Sequence, residues 1–416
     1  MQIQLPYGHT TIPFDAPSDR IISSRLSRRK PLAAGETLVQ EAMRHPIGSA
    51  TLAELAVGKK NAVIIISDHT RPVPSRDILP HMLHELRAGS PDIQITLLVA
   101  TGCHRGTTAE ELRLKLGAQI ADQEQIVVHD AFDTQKNVQI GILPSGAPLV
   151  IDRVAAEADL LLAEGFIEPH FFAGFSGGRK SVLPGICARQ TVFGNHCGAF
   201  IADTHARTGI LDDNPIHQDM VAAARMAGLA YIVNVVINEH KQTVAAFAGD
   251  FEQAHEAGVR FLRQYCQTPA IPGDIIVTTN GGAPLDQNLY QCVKGLTAAE
   301  ATAKLDATII MCAEMADGVG GSQFYRDICN CASPVQLYRR FSQTPQGETL
   351  PDQWQTQILC RILMRHRVIF VTRPQMQQRI SDMKMEYAPT LAEALDMAGS
   401  GEITVLPDGV SVAICR

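Results

Sequence analysis

The chain has 416 residues, with 36 Lys and Arg against 43 Asp and Glu, for a formal charge of −7. At 45% hydrophobic and 19% charged it reads as roughly two or three folded domains, which excludes extended disorder. The lack of a basic surplus excludes nucleic acid as an expected partner. No apolar run approaches the ~18 residues of a membrane span, so no membrane contact is expected. The N-terminal MQIQLPYGHTTIPF lacks the basic and apolar regions of a secretory leader. The ten cysteines include no CxxC pair, so reduced thiols and a cytoplasmic location are expected.

Taken in chain order, runs at 62–66, 93–99, 125–128 and 159–163 are apolar throughout rather than alternating. Four more follow at 231–237, 274–277, 307–311 and 367–371. Such runs predict strands buried on both faces of a largely parallel sheet. Helices are predicted over 108–116, 251–265 and 286–305; the first opens on Thr108 with Glu111 at capping-box spacing. Thr268-Pro269-Ala270-Ile271-Pro272-Gly273 is the best boundary, dividing residues 1–270 from 271–416. Near the end, 402–406 and 410–414 flank Pro407-Asp408-Gly409 and predict a hairpin. The expected fold is α/β, two domains each with a largely parallel layered sheet, and the active site in the cleft between them.

Polar clusters begin where the apolar runs stop. SDHTRP follows the first, TGCHRG the second and EGFIEPH the fourth, while TNGGAPLDQ and AEMADGVGG do the same in the second half. Ligands of open α/β sheets bind beyond the carboxyl ends of the strands, so these loops predict one cleft.

Within SDHTRP, Asp68 and the forked donor Arg71 either fix a polar ligand or belong to a helix start. His104, in TGCHRG, is either a general base or a surface turn residue. The densest segment is EPHFFAGFSGGRKSVLPG, residues 168–185. Its glycines with Ser176, Arg179 and Lys180 make a backbone able to approach a phosphate, which marks Ser176, Gly177 and Gly178. It nearly spells a Walker A loop, but Arg179 stands where the last glycine belongs, which disfavours a P-loop kinase. His196 and Cys197 either ligate a metal or are buried side chains. Tyr290, Gln291 and Lys294 share one helical face and hold a carboxylate or are solvated.

In this order SDHTRP, TGCHRG, the 168–185 segment, Asn195-His196 and GGAPLDQNLYQCVKG resemble the nickel-dependent lactate racemase family, over roughly residues 60–325. The resemblance implies a nickel-pincer nucleotide, Ni(II) pyridinium-3,5-bisthiocarboxylic acid mononucleotide, attached covalently through Lys180. It implies His196 as the protein ligand to nickel and His104 and His170 as the acid/base pair. Asp68 and Arg71 match cofactor-pocket positions, and Arg71, Tyr290, Gln291 and Lys294 match substrate-pocket positions. The implied activity is inversion at C2 of a 2-hydroxy acid, lactate by default, through reversible hydride transfer. Malate, an aromatic lactate or a sugar acid are alternative substrates, and a nickel-nucleotide carrier is a more distant reading. Partners implied are the 2-hydroxy acid and the enzymes that build the cofactor.

Overall fold

The computed structural model describes residues 1–415. The strands of the first half are β1 (Gln2–Tyr7), β2 (Thr10–Asp15), β3 (Asn61–Ser67), β4 (Gln94–Ala100), β5 (Gln125–Val128), β6 (Asn137–Ile142) and β7 (Pro148–Asp152). Next come β8 (Leu161–Phe166), the two-residue strands β9 (Pro169–His170) and β10 (Gly174–Phe175), then β11 (Leu229–Ile237) and β12 (Thr243–Gly249). After these run β13 (Gln267–Pro269), β14 (Gly273–Thr279), β15 (Ala303–Cys312), β16 (Arg367–Val371), β17 (Glu386–Ala388), β18 (Ile403–Leu406) and β19 (Ala413–Cys415).

Two α/β sheets dominate, as the apolar runs predict. The first has the order β12-β11-β8-β3-β4-β5 and is parallel except for β12. Val63 and Ile65 of β3 enter one core cluster, while Ala62, Ile64 and Ile66 enter another on the opposite face. Both faces of the strand are therefore covered, and no polar residue interrupts it. The chain returns from edge strand β5 to place β8 beside β3. Connections leave these two strands in opposite directions, and such a switch point opens a crevice above their carboxyl ends.

The second sheet, β17-β16-β15-β14-β18, is parallel throughout. One apolar cluster runs between the two sheets, joining Val63 and Ile65 to Ile276, Ile309 and Leu296. The opposite face of the second sheet is covered from an unexpected direction. The antiparallel β1–β2 hairpin packs there, with Leu5 against the cluster of Ile275, Val277, Ile310 and Val405. Residues that fall within 1–270 by sequence thus complete the core of the second sheet.

The predicted C-terminal hairpin does not form. β18 pairs in parallel with β14 and β19 in parallel with β13, so the turn residues Pro407 to Gly409 separate strands of different sheets. A local turn signal sets a reversal of the chain but not the partner of either arm. The helix at Thr108 forms as predicted: Glu111 N–H donates to the Thr108 hydroxyl at 3.3 Å and Thr108 N–H to the Glu111 carboxylate at 2.9 Å. Among the described residues no helix is long and apolar enough to cross a membrane.

Candidate active site

A cavity of about 340 Å³ lies above the carboxyl ends of β3, β4 and β8, closed from the other side by helix Leu289–Thr302 and residues 351–355. The turn after β3 places Asp68 in its wall, buried. One Asp68 carboxylate oxygen lies 2.8 Å from His104 Nδ1, and the other accepts from the Thr70 hydroxyl at 2.6 Å and N–H at 3.1 Å. Burial alone would raise this carboxyl, but the His104 ring, Thr70 and Arg71 outweigh it and hold it at about 2. Asp68 therefore stays a carboxylate, which draws the His104 ring hydrogen onto Nδ1. The Nε2 lone pair is left free to accept a proton.

His170 comes from the β9–β10 turn, where Gly174 takes a φ of +77° and a Cβ would stand 2.3 Å from the Ile210 carbonyl oxygen. The ring stacks on Phe171 at 5.1 Å and meets the edge of Phe172 at 4.5 Å between centroids. Its Nδ1 accepts from the Ala173 N–H at 3.2 Å, so the neutral ring carries its hydrogen on Nε2. Burial, then Lys180, Lys294 and Arg71, push its pKa well below the ordinary histidine range. The two histidines enter one cavity with opposite tautomers, His104 as acceptor and His170 as donor.

Arg179, the residue that breaks the Walker pattern, is a buried brace. Its guanidinium donates to the carbonyl oxygens of Phe175 at 2.8 Å, Ala173 at 2.9 Å and Gly177 at 3.2 Å, and to His217 Nδ1 at 3.0 Å. Burial lowers it to about 9. The brace turns the next residue, Lys180, into the cavity, its amine 5.8 Å from the Phe172 ring centroid. Burial together with Arg179, Arg71 and Lys294 drives Lys180 far below the usual ammonium range, which favours a free amine.

Ser176 and Gly177 also line the cavity; Gly178 does not. The Gly178 N–H is spent on the Asn234 side chain at 2.7 Å, and the Ser176 hydroxyl bridges Phe166 and Glu168 backbone groups. A Cβ on Gly177 would meet the same Asn234 oxygen at 2.6 Å.

His196 lies at the end of the short helix Arg189–Asn195, buried between Phe172 at 5.0 Å and Trp354 at 5.2 Å. Its Nδ1 has no hydrogen-bond partner, and burial, with Lys180 nearby, holds the ring at about 3. A buried neutral imidazole with an unused nitrogen is suited to a borderline metal ion. Among the described residues no group of three or more His, Cys, Asp or Glu is placed to hold a metal.

Across the cavity Tyr290, Gln291 and Lys294 project from one helix, as their spacing predicts, and Asn288 caps it by accepting from Gln291 N–H at 3.0 Å. Burial and Arg71 lower Lys294 to about 8. Arg71 thus lowers both Lys180 and Lys294 in a common space that is primed for an anion.

Four contributors were not foreseen. Trp354, Asp352 and Gln355 wall the cavity from the second half, with the Gln355 amide donating to the Tyr290 carbonyl oxygen. Glu164 of β8 lies beneath, fully buried, accepting from Ser75 at 2.7 Å. The lone tryptophan of the chain was the one signal available for this group.

Models of the lactate racemase N-terminal domain and C-terminal domain match residues 7–209 and 268–414. A lactate racemase of Thermoanaerobacterium thermosaccharolyticum is 49% identical over 420 residues, and one of Lactiplantibacillus plantarum 50% identical over 421, each alignment covering 99% of both chains. The structure of the lactate racemase apoprotein from T. thermosaccharolyticum superposes with a TM-score of 0.96 at 48% identity over the whole of both chains. A Thermotoga maritima protein, 18% identical, shares the fold with a TM-score of 0.69 over 93% of this chain and 99% of its own.

Proposed function

The chain belongs to the lactate racemase family and is an isomerase, and from that premise we propose that it inverts C2 of a small 2-hydroxy acid, lactate first, using His104 and His170 as its acid/base pair. The observation that carries this reading is two histidines with fixed Nδ1 partners in one cavity with three cations. The α-hydrogen of a 2-hydroxy acid is very weakly acidic, so inversion is easier when it leaves as hydride while a base takes the hydroxyl proton. A nickel-pincer nucleotide, attached through Lys180 with His196 as its protein ligand, supplies the hydride acceptor when bound. The residues fit such a group, since Lys180 offers a free amine beside an imidazole nitrogen without a partner.

The chain does the rest. Arg71 and Lys294 hold the carboxylate, with Tyr290 and Gln291 beside them, so that C2 alone changes hand. His104 Nε2 takes the hydroxyl proton from one enantiomer, and Asp68 stabilises the imidazolium that results. His170 serves the hydroxyl on the opposite side through Nε2; to take a proton there its own ring hydrogen must first shift to Nδ1, which costs it the Ala173 hydrogen bond. Phe171, Phe172 and Trp354 keep water from the reacting carbon.

The test is Lys180→Ala in chain produced together with cofactor-building enzymes. Wild type should carry a nucleotide-sized mass adduct with about one nickel and racemise lactate; the variant should carry no adduct and do nothing. An adduct that survives on the alanine variant places the anchor elsewhere.

A pH effect follows from Lys294. Its ammonium is complete well below about 8 and is lost above it, so kcat/KM for lactate should decline as pH rises through about 8. Lys294→Arg should move that decline upward, because guanidinium stays charged. A wild-type profile that is flat across this range would remove Lys294 as the carboxylate anchor.

A further inference from the structure

His129, outside the cavity wall, holds a position that the reaction as described does not explain. Its ring is fully buried. Nδ1 lies 2.9 Å from one oxygen of Asp152, and Nε2 lies 3.1 Å from the carbonyl oxygen of Cys187. A carbonyl oxygen only accepts, so Nε2 carries a hydrogen. The other Asp152 oxygen accepts from Val154 N–H at 3.0 Å. Both ends of the ring are thus committed.

The partners belong to the two segments that carry the site. On one side, the His129 backbone is locked to the end of β4: its N–H donates to the Val99 carbonyl oxygen at 3.2 Å, and the Thr101 hydroxyl donates to its carbonyl oxygen at 2.7 Å. From there the chain turns directly into His104. On the other side, Cys187 closes the segment that begins at Lys180, and the Asp152 N–H donates to the Ile186 carbonyl oxygen at 2.9 Å. Gly102 N–H donates to the Gly185 carbonyl oxygen at 2.9 Å, joining the two segments directly.

We propose that His129, backed by Asp152, is a positioning residue that fixes the turn bearing His104 at a set distance from the segment bearing Lys180. The proposal rests on the reading of those two residues as base and anchor. It accounts for a buried histidine–carboxylate pair that touches neither ligand nor solvent. The carboxylate anchor formed by Arg71 and Lys294 lies on other elements, so misplacing the His104 turn should affect turnover rather than substrate binding.

The experiment compares His129→Gln and Asp152→Asn with wild type in two measurements. Hydrogen exchange is followed on the full chain without cofactor. Kinetics are followed on chain loaded by cofactor-building enzymes, with the adduct confirmed by mass. In His129→Gln the amides of 101–104 and 182–188 should exchange about tenfold faster, with those of β14 to β16 unchanged. At a temperature where the variant is fully folded, kcat should fall about ten- to a hundredfold and KM stay within about twofold. Asp152→Asn, which keeps the shape of the pair, should show the same pattern more weakly. If His129→Gln does not fold, Asp152→Asn decides by the same readings. Unchanged exchange in the two segments, or wild-type kcat in a loaded variant, overturns the proposal. A wild type without adduct would remove the cofactor reading instead, and the exchange data would still decide this one.

Discussion

Arg179→Met should lower Tm by roughly 3–4 °C and leave the Lys180 loop unable to take up cofactor. The guanidinium fans its donors over the carbonyl oxygens of Ala173, Phe175 and Gly177 and the ring of His217, all within the buried base of the loop. Methionine fills the volume and satisfies none of them. The Ala173 and Gly177 oxygens keep the N–H groups of Phe175 and Lys180, so the loss falls on the Phe175 oxygen and His217 Nδ1. Each buried acceptor left without a partner costs about 1–3 kcal/mol, partly offset because a buried cation without a carboxylate partner is also removed. A net loss of about 3 kcal/mol or more is expected. Lysine should rescue little, since its three donors radiate from one atom and cannot span this ring of acceptors. The measurement is thermal unfolding with the mass of the loaded protein alongside it; a near-wild-type Tm with normal loading would show that the loop holds its shape without the brace.

Removing either histidine of the pair should reduce racemisation by about 10²–10⁴-fold in both directions while nickel and adduct remain. Both directions suffer because each passage from one enantiomer to the other uses both rings. His104→Ala and His170→Ala should therefore look alike in kcat, although their surroundings differ. His104 is half-exposed and backed by Asp68, whereas His170 lies enclosed by phenylalanines. Asp68→Asn should lie between these variants and wild type, because it leaves the ring in place but removes the charge that stabilises its protonated form. Chiral chromatography of each lactate enantiomer after incubation reads all three. Continued racemisation in a loaded His104→Ala or His170→Ala protein would mean that the base lies elsewhere.

Much of this arrangement was legible in the chain because it is local. A strand such as β3, buried on both faces, leaves an uninterrupted apolar run, and the ligand-facing turns begin where that run stops. Tyr290, Gln291 and Lys294 share a face because a helix imposes that spacing. What escaped is non-local. Gly178 looks no different from Gly177 in sequence, yet its amide is turned toward Asn234, more than fifty residues on. Asp408 marks a turn correctly, while the partners of β18 and β19 are set by β14 and β13. Trp354 reaches the cavity from a segment without a glycine motif. Arg179 was visible as a misfit to a phosphate loop, but its role depends on carbonyl groups whose directions only the folded loop defines.

The β1–β2 hairpin ties the order of synthesis to the order of folding. These residues are made long before the face they cover, with Ile275, Val277, Ile310 and Val405, which is complete only when β18 has been made. Until then one side of the second sheet remains open to solvent and to other nascent chains. The delay costs little in equilibrium terms, since loop-closure entropy grows only slowly with the length of chain between the partners. In time it is a long wait, because the contact spans nearly the whole sequence. Damage to the first fifteen residues should therefore be felt as misassembly of the last hundred and fifty.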